Sequence, residues 1–124
     1  MKNILIIDDN EDCINSLEEL LLSVENFECK VIKAKDGFDG LMKIQNQTFD
    51  LIICDNQMPK KTGIDLVSDL ILQKKYSPNK FILISGEFTK EEVSRVIELK
   101  ISSVLAKPVD FNRLLEKVQL LLKS

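Results

Sequence analysis

The chain has no histidine and no tryptophan among its 124 residues. Without imidazole, every Ser-His-Asp triad, every histidine-ligated metal site and every histidine proton relay is excluded. Cysteine is sparse: Cys13, Cys29 and Cys54 lie too far apart for a CxxC redox pair or a zinc knuckle. Cys54 sits inside an apolar run and reads as core packing. Only 4 glycines and 3 prolines are present, and no tract is rich in either, so no flexible linker or low-complexity segment divides the chain. Apolar runs are short; none approaches the roughly 18 residues needed to span a bilayer. The start, Met1 to Asp9, carries too brief an apolar stretch for a signal peptide. An excess of positive charge is missing too: 17 basic against 20 acidic side chains give a net charge of −3. That balance argues against nucleic acid or an anionic membrane as a partner. These absences describe a cytoplasmic chain whose residues 1–124 form one domain, long enough to bury roughly two-thirds of its unfolded surface.

What is there is alternation. Short apolar, β-branched runs occur at Ile4–Ile7, Val31–Ala34, Leu51–Cys54, Phe81–Ile84 and Val104–Ala106. Runs of this kind read as strands buried on both faces, as in a parallel sheet. Helical stripes lie between them: Ile14, Leu17, Leu21 and Val24; Phe38, Leu41 and Ile44; Ile64, Val67, Leu70 and Ile71; Val93, Val96 and Ile97; and Phe111, Leu114, Leu115, Val118, Leu121 and Leu122. Thr89 with Glu92 three residues on is a capping box, and Asp110 is a candidate N-cap. The short fourth helix carries Glu91, Glu92 and Arg95 outward, a face open to a partner or a second copy. Five strands alternating with five helices predict an α/β, doubly wound parallel sheet with right-handed crossovers. The common strand order is 2-1-3-4-5, with ligands bound beyond the carboxyl ends of the strands.

The first polar residues after each strand are therefore the place to look. They are Asp8-Asp9, Asp55, Ser85-Gly86-Glu87 and Lys107-Pro108. Three carboxylates, a hydroxyl and an ammonium converge on one sheet edge. Each piece alone has a structural reading, as cap, loop acid, turn residue or surface cation; their coincidence at strand ends is the signal. Two carboxylates about 4 Å apart repel by roughly 4 kcal/mol at an effective dielectric of about 20. Lys107 compensates part of that charge. The remainder suits Mg²⁺, which takes carboxylates plus water, whereas zinc and copper lack their usual ligands here. An Asp can attack phosphorus and form an acyl phosphate. The metal and Lys107 neutralise the transferring oxygens, and Ser85 can donate a hydrogen bond to one of them.

These blocks resemble the receiver (response-regulator) domains of two-component signalling, with a flavodoxin-like fold. The resemblance runs from residue 2 to about residue 122. It rests on Asp8-Asp9, Asp55, Met58-Pro59 with Gly63 and Leu66, Ser85-Gly86 and Lys107-Pro108, in that order. It implies that Asp55 is the phosphoacceptor. It implies that Asp9, Asp55 and the Gln57 backbone carbonyl ligate Mg²⁺, with Asp8 acting through water. Ser85 then occupies the switch hydroxyl position, and the Lys107-Pro108 bond is expected to be cis. The implied donor is a sensor histidine kinase or a histidine phosphotransfer protein, because a chain without His cannot be its own. The implied output is a shifted equilibrium on the face of the fourth helix, fifth strand and fifth helix, read by an unknown protein partner. On this reading the chain is not a conventional enzyme and catalyses only its own phosphotransfer and dephosphorylation.

Three positions depart from the family pattern. Val104 stands where the family usually has an aromatic rotamer switch. Lys100-Ile101 replaces a common Gly-Ala, so Lys100 must either accept a left-handed conformation or end its helix differently. Asn56-Gln57 follow Asp55, and Gln57 and Glu87 occupy positions that tune phosphoryl lifetime in the family. The leading expectation is a stand-alone receiver, with a receiver excised from a larger hybrid kinase or regulator as its variant. A phosphorylation-independent interaction module is the alternative of a different class. A Mg²⁺-dependent aspartyl phosphatase fits poorly, since Asp55-Asn56-Gln57 lacks the second acid of that loop and no cap insertion is present.

Overall fold

The computed structural model describes residues 1–122. Five strands form one parallel sheet in the order β2-β1-β3-β4-β5: β1 Lys2–Ile7, β2 Cys29–Ala34, β3 Leu51–Asp55, β4 Phe81–Ser85 and β5 Val104–Ala106. Each crossover carries a helix: α1 Glu11–Leu22, α2 Gly37–Asn46, α3 Gly63–Leu72, α4 Lys90–Glu98, and α5 Phe111–Leu122 after the last strand. A single 3₁₀ turn at Pro78–Lys80 leads into β4. The anticipated topology is the observed one. Among the described residues, no helix is long and apolar enough to cross a membrane.

The period of two along the central strands divides the core between the two faces of the sheet. Leu5, Ile7, Ile52, Cys54, Phe81 and Leu83 pack with Ile44 of α2, Ile64, Val67 and Leu70 of α3, and Val96 of α4. Ile4, Ile6, Ile53, Ile82 and Ile84 pack with Ile14, Leu17 and Leu21 of α1 and with Leu114 and Val118 of α5. Every residue of β3 and of β4 is buried. Cys54 is fully buried, in keeping with a packing role.

The helices begin where their side chains can satisfy free N–H groups. Asn10, Asp36, Thr62 and Thr89 each accept from a backbone N–H in the first turn of α1, α2, α3 and α4. The Thr89–Glu92 capping box is fully formed. Asp110 accepts from the N–H groups of Asn112 and Arg113 at the start of α5. Lys100 does take the left-handed conformation, with φ 64. Its N–H bonds Ile97 O and the Ile101 N–H bonds Val96 O, the paired closure of a Schellman motif in which Gly is the usual occupant.

Several stripes differ from what periodicity alone suggests: α1 ends at Leu22, before Val24, and Phe111 of α5 is 46% exposed. In α2, Ile44 is buried but Phe38 is 73% exposed. In α4, only Val96 is buried, while Val93 and Ile97 face outward. Conversely, Glu92 and Arg95 were expected to point away from the fold, and both turn back onto it. Arg95 pairs with Asp65 of α3 at 2.7 Å, and Glu92 receives a hydrogen bond from Asn56 beyond β3 at 2.7 Å. Glu92 in the first turn meets the buried Asn56 amide, and Arg95 in the last turn meets the half-exposed Asp65 carboxylate.

Candidate functional site

Asp8 follows β1 directly and is buried; its Oδ1 accepts from the Asn10 N–H at 2.9 Å. Asn10 provides the α1 cap, accepting from the Cys13 N–H at 3.0 Å, so neither Asp8 nor Asp9 is occupied in that role. Asp55 is the last residue of β3, and the register sets Ile7 beside Cys54 and Asp55 beside Ile84. This register brings the ends of β1, β3 and β4 level. Carboxylate oxygens of Asp8, Asp9 and Asp55 lie within 4.8 Å of one another. Lys107, carried just past β5, reaches in: Nζ donates to Asp55 Oδ2 at 3.0 Å and lies 3.8 Å from Asp8 Oδ2. Its backbone N–H bonds Ser85 O at 3.0 Å, and the Lys107-Pro108 bond is cis.

Burial pushes the Asp55 carboxyl above its ordinary value. Hydrogen bonds from Lys107 and from the Gln57 N–H, at 3.1 Å, oppose that rise, and the Asp8 charge adds to it. Lys107 feels the same field with the opposite sign. Burial lowers it, but the bond to Asp55 and the charges of Asp8 and Asp55 outweigh burial and hold it above the usual lysine range. Nearby Cys13 is pushed up to about 11 by burial and by Asp8, so its thiol stays protonated at neutral pH. Cys54 is pushed higher still, first by burial and then by Asp55. Neither cysteine is a nucleophile here.

Three carboxylates share one ammonium, which leaves the pocket with uncompensated negative charge. Two of the three are buried, and the donors are all oxygens. A hard divalent ion of the Mg²⁺ type fits that donor set.

Ser85 is buried, but its hydroxyl is turned into its own loop. It donates to Glu87 O at 2.8 Å and accepts from the Glu87 N–H at 3.2 Å. Strand ends place Ser85 beside the acidic cluster, while its proton is committed to Glu87. The Gln57 side chain accepts from the Gly86 N–H at 3.3 Å and so links the loops after β3 and β4. Glu87 is exposed. Gly63 lies against the acidic strand end: a Cβ there would stand 2.5 Å from Asp55 O and 2.9 Å from Asn56 Cα.

Asn56 was noted in the sequence only as following Asp55, with no role given to it. It is 2% exposed and uses all its polar groups. Its N–H donates to Ile84 O and its carbonyl accepts from Gly63 N–H. Its Oδ1 accepts from the Ile64 N–H at 2.9 Å, and its Nδ2 donates to Glu92 Oε2 at 2.7 Å. An amide directly after the strand-ending Asp55 was the available signal; its partner, 36 residues away, was not visible.

The model of the "Response regulator receiver domain" family matches residues 4–119. The chain is similar to the Regulator of RpoS of Escherichia coli, with 33% identity over 118 residues, covering 94% of this chain and 34% of that protein. It thus spans about a third of the length of that curated relative. Among solved structures it is similar to the chemotaxis protein CheY4 of Vibrio cholerae, with TM-score 0.82, 27% identity and 98% of each chain covered. It is also similar to a chain of the CheX-CheY-BeF3-Mg complex of Borrelia burgdorferi, with TM-score 0.82, 26% identity, and 99% and 90% of the two chains covered.

Proposed function

The chain belongs to the response regulator receiver domain family, and on that premise we propose that Asp55 is its phosphoacceptor. The observation that carries this assignment is the buried Asp55 carboxylate, held at 3.0 Å by Lys107 and flanked by Asp8 and Asp9. An Asp55 oxygen attacks the phosphorus of a partner's phosphohistidine. The O–P bond forms as the N–P bond breaks, and the electron pair leaves with the imidazole nitrogen. These residues hold no histidine, so the donor histidine lies outside them, in a sensor kinase or a histidine phosphotransfer protein.

Asp9, Asp55 and the Gln57 backbone carbonyl would hold Mg²⁺, with Asp8 acting through water. When bound, the ion neutralises charge on the pocket and on the incoming phosphoryl oxygens. Lys107 gives up part of its bond to Asp55 and donates to a phosphoryl oxygen instead. Ser85 exchanges Glu87 O for another, which draws the loop after β4 inward. Residues 1–124 act as one cytoplasmic receiver unit whose chemistry is limited to its own loading and unloading. An interaction module that ignores phosphorylation is the second reading, favoured by Val104 at the aromatic position.

The test is intact-mass measurement after treatment with acetyl phosphate and Mg²⁺, beside Asp55→Asn. Gain of one phosphoryl group that requires the metal and is lost in Asp55→Asn supports the assignment. No gain with the small donor or with any phosphorylated histidine kinase domain sinks it in favour of the second reading.

A further inference from the structure

Receivers must pass a change at the acidic pocket to a distant surface, and this chain lacks an aromatic side chain at Val104 to do so. A different connection is present. Asn56, adjacent to Asp55, donates through Nδ2 to Glu92 Oε2 at 2.7 Å. Glu92 uses its other oxygen, Oε1, to accept from the Thr89 N–H at 3.0 Å, closing the capping box of α4. Asn56 is also fixed to α3 through Ile64 N–H and to β4 through Ile84 O. One buried amide thus ties the end of β3, the start of α3 and the start of α4.

We propose that the Asn56–Glu92 hydrogen bond is a latch that holds α4 in its unloaded position, so that loading of the pocket must break or drag it. Asn56 is a positioning residue in this account; it acts on the switch through Glu92. The proposal rests on the assignment of Asp55 as phosphoacceptor. Its physical basis is the weak apolar anchoring of α4, where Val96 alone is buried. Phe88 and Leu99 at the two ends of the helix pack on the core only partly buried, and two side-chain bonds add to the attachment: Asn56–Glu92 and Asp65–Arg95. Of these, the first joins a buried residue next to the acceptor to the helix itself. A bond to a charged partner can shift a two-state equilibrium by about tenfold or more.

Asn56→Asp tests this without removing side-chain bulk. One oxygen still accepts from Ile64 N–H, but the donor to Glu92 becomes a second acceptor, and the attraction becomes repulsion. Asn56→Asp with Glu92→Gln restores a donor–acceptor pair of reversed polarity and the original net charge. The readout is the amide ¹H–¹⁵N spectrum of residues 86–98, free and saturated with beryllofluoride and Mg²⁺. The latch predicts that unloaded Asn56→Asp has these amides displaced along the wild-type free-to-loaded line. It also predicts an affinity for beryllofluoride raised about tenfold, with both effects reversed in the double variant. If the amides of Asn56→Asp stay at wild-type free positions, or if Glu92→Gln fails to reverse the change, the latch is wrong while the acceptor assignment stands. A wild-type chain that binds no beryllofluoride and accepts no phosphoryl group overturns both.

Discussion

The two helices that flank β5 are held by different physics. α5 buries Leu114, Val118 and Leu122 against Ile4, Ile6 and Leu105, a continuous apolar seam. α4 buries Val96 and turns Val93 and Ile97 to solvent, 46% and 70% exposed. It is fastened instead by side chains that bond charge to charge or amide to charge. Apolar seams are costly to open and offer no alternative geometry. Polar fastenings can be exchanged for others at similar free energy, which makes α4 the element suited to move.

The largest test of this contrast is apolar truncation. Leu114→Ala should cost about 3 kcal/mol in urea unfolding, whereas Ile97→Ser should change stability by less than about 0.5 kcal/mol. Similar costs at the two sites would break the comparison.

Gly63→Ala comes next. Its new methyl would meet the backbone oxygen of Asp55, which cannot step aside, so a loss of about 2 kcal/mol and slower phosphorylation are expected. Gly40→Ala meets the flexible end of Ile7 and should cost less than Gly63→Ala in the same unfolding assay.

Acid provides a test of intermediate size. Glu92 is held below its ordinary value by hydrogen bonds from Thr89 and Asn56, and Asp65 by its bond from Arg95. The stability these groups contribute is present above their unfolded values of 4.5 and 3.8 and lost as pH falls through their lower folded values. Both are partly exposed, so each contributes under about 1 kcal/mol. Asp55 has the opposite sign without metal. Its raised folded value means that protonation favours the fold, an advantage lost as pH rises through it. Below pH 4, amide protection in α4 should therefore fall before that in α5. Asp55→Asn should unfold at higher temperature than wild type at pH 7.

The smallest effect is Lys100→Gly, which relieves a left-handed non-glycine residue and should add about 0.5–1 kcal/mol, measured by thermal melting.

Much of this arrangement is legible in the amino-acid sequence. β-branched runs marked the five strands, and the residues following them marked the pocket, because strand ends in a parallel sheet share an edge. Cap residues are short-range signals too: Thr89 and Asp110 were read as caps, whereas Asn10, Asp36 and Thr62 were not. What else escaped reading depends on partners distant in the chain. The stripe Val93, Val96 and Ile97 has helical spacing but cannot say that only its middle member meets the sheet. Asn56 and Glu92 carry no mutual signature at a separation of 36 residues. The engagement of Ser85 with Glu87 is a choice of rotamer, which composition does not specify.

The most direct measurement compares amide hydrogen exchange in α4 and α5 of the intact chain, free and loaded with beryllofluoride and Mg²⁺. Polar fastening of α4 predicts a change in exchange concentrated between Ser85 and Glu98, with α5 altered by less than about threefold. Equal changes in both helices, or a change confined to α5, would contradict the claim that α4 is the moving element.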